Sequence, residues 1–305
     1  MTPTNQGSFR LLRLAGIELY VHWSWFLVAW YGISQRRGSY TSPIWNVLEY
    51  LALFGVVLTH EFGHALACRQ VGGRAEQIVL WPLGGVAYVD PPQRPGATLW
   101  SIAAGPLVNV ILLPVFLTIA WLMDRTGLTV SAFNLRVLVQ AMIYINFGLL
   151  IFNLLPIYPL DGGQILRSLL WFVLGRAWSL MVATVVGLLG VVGLILLAAL
   201  SQSLWLGVIA VFILLNCWRG LRHALHLTRL ARVPRRAGFA CPQCQSGPPT
   251  GAVWMCGHCH NPFDIFETGG VCPHCQAAFL TTRCLDCGAN APLEAWTTSP
   301  QSGEQ

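Results

Sequence analysis

Charge is scarce in this chain: only 10% of its 305 residues are Asp, Glu, Lys or Arg, against 55% hydrophobic. Soluble globular domains carry about a quarter of their residues as charge, so a water-soluble globule is excluded and a polytopic membrane protein is indicated. No small-residue cleavage site followed by a soluble domain interrupts the apolar run that begins near Ile17. That run is therefore expected to serve as a retained insertion signal. The scarcity of charge is uneven. From Arg219 onward the chain turns basic and then rich in Cys, Pro and Gly, which divides it into a membrane domain over 1–235 and a small tail over 236–305.

Stretches of about 20 apolar residues predict six transmembrane helices, near 16–34, 46–68, 99–123, 137–158, 178–200 and 203–218. Residues 164–175 are apolar but short and broken by Arg167, Gly175 and Arg176, so they are expected to lie in the membrane interface. Arg219, Arg222, Arg229, Arg232, Arg235 and Arg236 follow the last span. By the positive-inside rule they hold the C-terminus in the cytoplasm, and six spans return the N-terminus, with Arg10 and Arg13, to the same side. Arg69, Arg74 and Arg94 agree with this layout, whereas Arg36 and Arg37 fall outside and disagree. A cell (inner) membrane is the expected location. The apolar segment from Ile78 to Val89 holds Pro82 and the pair Gly84-Gly85. It is too short to span and reads as a β-hairpin turning at the glycines. Such backbone is tolerated at membrane depth only where it lines a cavity; a hairpin in a cytoplasmic loop is the alternative.

Inside the second span, between Glu49 and Arg69, the one acid is Glu61, flanked by His60 and His64. The histidines are four residues apart, so on a helix they project from one face and can share a tetrahedral metal, while Glu61 can take a proton from water. Satisfied core histidines are the plainer explanation. Ionisable groups in a bilayer-spanning helix are, however, disfavoured by roughly 2–3 kcal/mol unless partnered or functional, which makes a chance match rare. A lone carboxylate, Asp161, follows the fourth span among Pro156, Pro159, Gly162 and Gly163. The predicted topology brings it to the same end as His60 and His64. Two histidines and one carboxylate leave a fourth zinc position for water, as catalytic sites do. The alternative for Asp161 is to cap the helix beginning at Gly162. Asn109 and Asn153 are polar groups in apolar helices, available to hold a substrate backbone or an oxyanion, or else to hydrogen-bond between helices. His22 is expected in an interfacial aromatic belt, and Cys68 and Cys217 as small buried apolar groups.

Three motifs together resemble the site-2 protease family of intramembrane zinc metalloproteases: His60-Glu61-Phe62-Gly63-His64, the run Ala104-Gly105-Pro106-Leu107-Val108-Asn109, and Asn153-Leu-Leu-Pro156 through Asp161-Gly162. The resemblance covers roughly residues 10–220. It implies a catalytic zinc held by His60, His64 and Asp161, Glu61 as general base, a transmembrane protein substrate within the lipid bilayer, and a substrate-holding role for the Gly84-Gly85 hairpin. Tyr158 stands where related sequences often carry proline. No inserted PDZ domain or CBS pair is seen, so the tail becomes the natural place for regulation.

Cys241/Cys244, Cys256/Cys259, Cys272/Cys275 and Cys284/Cys287 form four regular CxxC pairs. Eight thiolates suit two structural zinc ions, and a basic flank that places the tail in a reducing cytoplasm argues against disulfides. The tail resembles a double zinc ribbon, with ribbons at about 241–259 and 272–287. Sequential pairing of the first four and the last four cysteines is the first expectation; nested pairing stays open. Arg283 is the one Lys or Arg within 241–305, against Asp264, Glu267, Asp286, Glu294 and Glu304, which makes nucleic acid an unlikely partner and a cytoplasmic protein the more natural one. The Arg219–Arg236 cluster reads as a membrane-surface anchor. The sequence therefore points to an α-helical polytopic membrane zinc endopeptidase with a small zinc-ribbon tail. The competing reading is a non-catalytic membrane adaptor presenting its ribbons to a partner, although an adaptor gains nothing from keeping a complete acid–base set in lipid. A zinc transporter would require further intramembrane carboxylates and histidines.

Overall fold

The computed structural model describes residues 7–81, 84–127 and 132–297. They separate into two compact units, Met1–Arg222 and His223–Gln305. The first unit runs β1 (Ser8–Leu14), β2 (Ile17–His22), α1 (Trp25–Gln35), α2 (Pro43–Gln70), β3 (Arg74–Trp81), β4 (Gly84–Asp90), α3 (Pro95–Arg125), α4 (Phe133–Leu154), α5 (Asp161–Leu200) and the start of α6 (Leu204–Arg232). Among the described residues, the five helices α2 to α6 are long and apolar enough to cross a membrane.

The expected helix over 16–34 takes another form. Residues 17–22 alternate apolar and polar, with Ile17 and Leu19 buried, which is the period of a strand. They form β2, and the helix that follows has only 11 residues. The composite still runs along α2 from Arg69 to Glu49. At one end Arg69 donates to the carbonyls of Ala15 and Gly16; toward the other, Tyr50 Oη donates to the Trp25 carbonyl at 2.9 Å and the neighbouring Glu49 pairs with Arg36 at 3.0 Å. Six strand residues and eleven helical ones cover about 36 Å together. The apolar length was legible, and the backbone period was what a hydropathy window could not see. Arg36, which counted against the topology, has its charge matched by Glu49.

The sheet has the order β1-β2-β3-β4, with β2 parallel to β3 and the other pairs antiparallel. It packs on α2, where Ile17, Ile78 and Leu80 meet Ala65 and Cys68. The small residues on that face of the helix let the sheet approach. Trp81 pairs with Gly84 and Leu80 with Gly85, so the two glycines lie within β4 and do not form the hairpin turn; Pro82 falls outside the described residues. α3 crosses α2 closely, because a Cβ on Gly63 would stand 2.7 Å from the Ala104 carbonyl oxygen. In α5, Gly175 has φ 74 and ψ 173. This breaks the element into a short helix, 161–174, and a long one, 176–200, in line with the expected short segment. His22 stacks on Trp81 with ring centres 4.3 Å apart, and Cys68 and Cys217 are fully buried.

The second unit contains two small hairpins, β5 (Trp254–Met255) with β6 (Pro262–Phe263) and β7 (Thr281–Arg283) with β8 (Asn290–Pro292). They enclose a core that includes Trp254, Phe266 and Trp296. The linker is part of this unit: Arg236 N–H donates to the Pro248 carbonyl and Ala240 N–H to that of Trp296, both at 2.8 Å. Arg235 pairs with Asp286 at 2.7 Å and Arg236 with buried Asp264 at 2.6 Å. These two arginines are thus committed to the ribbons, which corrects their assignment to a membrane-surface cluster.

Arg69 ties the C-terminal end of α2 to both halves of the sheet, since its Nε also donates to Ala75 O at 2.9 Å. Arg69→Met is expected to lower stability by about 1–3 kcal/mol, as charged hydrogen bonds do. Arg69→Lys should recover little, because a point ammonium cannot serve three carbonyls in a fork. Thermal unfolding in detergent, with limited proteolysis at the β1–β2 turn, checks both.

Candidate metal centre

His60 and His64 lie one turn apart on α2 and turn their Nε2 atoms to within 3.1 Å of each other. Asp161, the first residue of α5, brings Oδ2 to 3.1 Å from His60 Nε2 and 3.4 Å from His64 Nε2. In a tetrahedral zinc site with bonds of 2.0–2.1 Å, donor atoms stand about 3.3–3.4 Å apart. The three donors already sit near that spacing, so the set fits zinc. The capping alternative for Asp161 is not realised, because α5 starts after Leu160 without a side-chain cap bond. His60, Glu61 and His64 are each about 5–6% exposed.

The distal ring nitrogens are engaged as well. His60 Nδ1 lies 2.5 Å from Asn109 Oδ1, and His64 Nδ1 lies 2.9 Å from the Ser101 carbonyl oxygen. Each Nδ1–H donates outward, which leaves Nε2 as the ligand atom in both rings. Asn109 Nδ2 donates to Asn146 Oδ1 at 2.8 Å, and Asn146 Nδ2 returns a bond to the Asn109 carbonyl at 2.9 Å. Both asparagines are fully buried. Asn109, expected among the groups that hold substrate, is instead occupied in orienting His60. Asn146 and Ser101 were missed in the sequence; an amide in the apolar run Ile143-Tyr-Ile-Asn146 was the available signal.

Glu61 projects toward the sheet. Its Oε2 accepts from Ala87 N–H of β4 at 2.9 Å, and a Cβ on Gly85 would stand 2.3 Å from its Cγ. Gly85 is therefore a clearance for the carboxylate. Gly84 precedes it on the same strand. Asn153 sits half-buried in the last turn of α4 with no side-chain hydrogen bond among the described residues. It makes none of the hydrogen bonds of the network around His60.

The eight tail cysteines fall into two sets of four, Cys241/Cys244/Cys284/Cys287 and Cys256/Cys259/Cys272/Cys275. The pairing is nested, correcting the sequential expectation. CxxC spacing is a local signal, whereas the choice of partner knuckle is set by the fold. The closest sulfur pairs are 3.6 and 3.8 Å apart in the outer set and 3.6 and 3.7 Å in the inner one. The edge of a zinc tetrathiolate with bonds near 2.3 Å is about 3.8 Å, so both sets fit zinc. In the inner set the N–H groups of Cys259 and His258 point at Cys256 Sγ, and they pull that thiol down to about 6.

Gly105 of α3 closes the metal centre from above: a Cβ there would stand 2.2 Å from His64 Nε2 and 2.8 Å from His60 Nε2. Gly105→Ala is expected to displace the ligand atoms and to lower metal retention at this centre at least tenfold, with the tail's metal unchanged. Metal content of the purified variant checks this.

Against known proteins, the family model for peptidase family M50 matches residues 49–129 and 123–197. A zinc metalloprotease of Methanocaldococcus jannaschii is 33% identical over 208 residues, covering 68% of this chain and 58% of that protein. A relative from Synechocystis sp. is 29% identical over 237 residues, covering 72% of this chain and 61% of its own length. The chain thus spans about three fifths of the length of these curated relatives. The solved structure of the site-2 protease from Methanocaldococcus jannaschii is similar with a TM-score of 0.50 at 28% identity, over 70% of this chain and 95% of that one. The sequence motifs, the helical scaffold and these likenesses agree: the chain belongs to peptidase family M50, the site-2 protease family.

Proposed function

We propose that this protein is an intramembrane zinc metalloendopeptidase that hydrolyses peptide bonds of transmembrane protein substrates. The observation that carries the reading is the convergence of His60 Nε2, His64 Nε2 and Asp161 Oδ2 at tetrahedral-edge spacing beside Glu61. His60 lies ten residues, about 15 Å of helix rise, before the end of α2. Zinc held by these three residues would supply Lewis acidity for the scissile carbonyl and a water that loses its proton near neutral pH. Glu61 takes that proton on its carboxylate and passes it to the leaving amine. Asn109 and the Ser101 carbonyl keep the two imidazoles aimed while this happens.

A transmembrane helix hides its peptide bonds, so cleavage requires local unwinding. β4 is an edge strand of the sheet. An unwound segment adds to it as a further strand and lies beside Glu61, held by the backbone of the Gly84-Gly85 stretch. Asn153 is a candidate to hold that segment. The membrane domain is assigned to 1–232, up to the end of α6, and the tail to 233–305, the expected boundary at 235 moving because Arg235 pairs with Asp286. Both termini are placed in the cytoplasm by the arginines at 219–232 and at Arg10 and Arg13. The ribbons hold two structural zinc ions and serve to recognise substrate or a cytoplasmic protein that regulates cleavage.

Cleavage of single-span reporter proteins by the wild type and by Glu61→Gln tests the reading. Loss of cleavage in the variant by at least a hundredfold, with about three zinc ions per chain retained in both proteins, is the expected result. If the wild type cleaves nothing and carries only two zinc ions, the adaptor reading takes its place. The nested pairing has its own check: Cys241→Ser with Cys284→Ser should remove one zinc ion per chain, whereas Cys241→Ser with Cys256→Ser should remove two.

A further inference from the structure

The short helix 161–174 ends at the Gly175 break with two arginines set around one indole. The guanidinium of Arg167 lies 5.7 Å from the centre of the Trp171 ring, and that of Arg176 lies 6.0 Å from the same centre. Arg167 Nε is buried without a hydrogen-bond partner, and no carboxylate lies within ion-pair reach of Arg167 among the described residues. The one acid on this helix, Asp161, is committed to His60 and His64. A half-buried guanidinium with a spare donor and no anion calls for one from outside the chain.

The surroundings indicate what that anion is. Phe172 lies against Gly96, two residues beyond Arg94, so the far end of the short helix is level with the start of α3. There Trp100 Nε1 donates to Gln70 at the end of α2. This is the rim that also carries Arg69, Arg74 and Arg94, the place where an apolar bundle meets headgroups. Phe172, Val173, Leu174 and Trp178 beside the arginines are 59, 84, 42 and 55% exposed. A dissolved anion gains nothing from that apolar surface, whereas a phospholipid sets its phosphate on the guanidinium groups and its acyl chains along these side chains.

We propose that Arg167, Trp171 and Arg176 form a binding site for the phosphate group of an anionic phospholipid, seated at the Gly175 break. The site does not depend on the protease reading. It does place a bound lipid on the same short helix that begins with the metal ligand Asp161.

The test uses the purified full chain in a zwitterionic detergent, with native mass spectrometry counting retained phosphatidylglycerol and phosphatidylcholine. The wild type should retain one phosphatidylglycerol in clear preference to phosphatidylcholine. Arg167→Gln and Arg176→Gln should each weaken retention roughly fivefold, the ratio that corresponds to ~1 kcal/mol per basic residue at an anionic surface. Arg94→Gln, on the same rim but away from the indole, should leave it unchanged. A monodisperse elution profile certifies each variant's fold, and if Arg167→Gln fails that criterion, Arg176→Gln and Trp171→Ala decide. Equal retention of the two lipids by the wild type, or unchanged retention in the folded variants, overturns the proposal. Displacement of phosphatidylglycerol by millimolar inorganic phosphate overturns the lipid assignment in favour of a free-anion site.

Discussion

A polar atom inside an apolar bundle has no water to turn to, and the architecture around His60 and His64 follows from that. Each imidazole has two nitrogens, and facing both Nε2 atoms at one point obliges each Nδ1–H to find an acceptor elsewhere. α3 supplies both, through Asn109 and the Ser101 carbonyl. Asn109 then needs a partner for its own amide, which Asn146 provides from α4. An unmet group costs about 1–3 kcal/mol, so the network holds α2, α3 and α4 in one mutual arrangement, and Asp161 adds α5. Gly63 and Gly105 are the positions at which side chains had to be given up for these helices to come close enough.

The sheet answers a different demand. Glu61 faces away from the α3 network, so its carboxylate needs a donor on the other side of α2. β4 brings the Ala87 N–H to it. The sheet can stay in place because α2 presents small side chains to it and because Arg69 fastens it at the helix end. The carboxylate is thus supported by backbone on one flank and by ligand residues on the other.

Much of this was legible in the sequence, for reasons that differ from residue to residue. His60, Glu61 and His64 stood out because nothing else charged occupies their span, and Asp161 because a single carboxylate follows a proline-broken helix. The strand at 17–22 was hidden because a window of hydropathy sums apolar content and ignores period. Gly84-Gly85 read as a turn because that is the commoner use of paired glycines; their use as a clearance depends on Glu61, more than twenty residues earlier. Asn109 could be recognised as unusual, but the direction of its carboxamide is a property of packing. The same holds for Arg235 and Arg236, whose partners Asp286 and Asp264 lie in the ribbons.

The nesting of the two cysteine sets imposes an order of assembly. The inner set joins Cys259 to Cys272 across 13 residues, whereas the outer set joins Cys244 to Cys284 across 40. Closing the longer loop in an unstructured chain costs about 1 kcal/mol more. The inner ribbon therefore closes first and shortens the path for the outer one. The knuckle that follows the last helix, Cys241 and Cys244, has its partners beyond the whole inner ribbon, so its ordering depends on a ribbon that is complete without it.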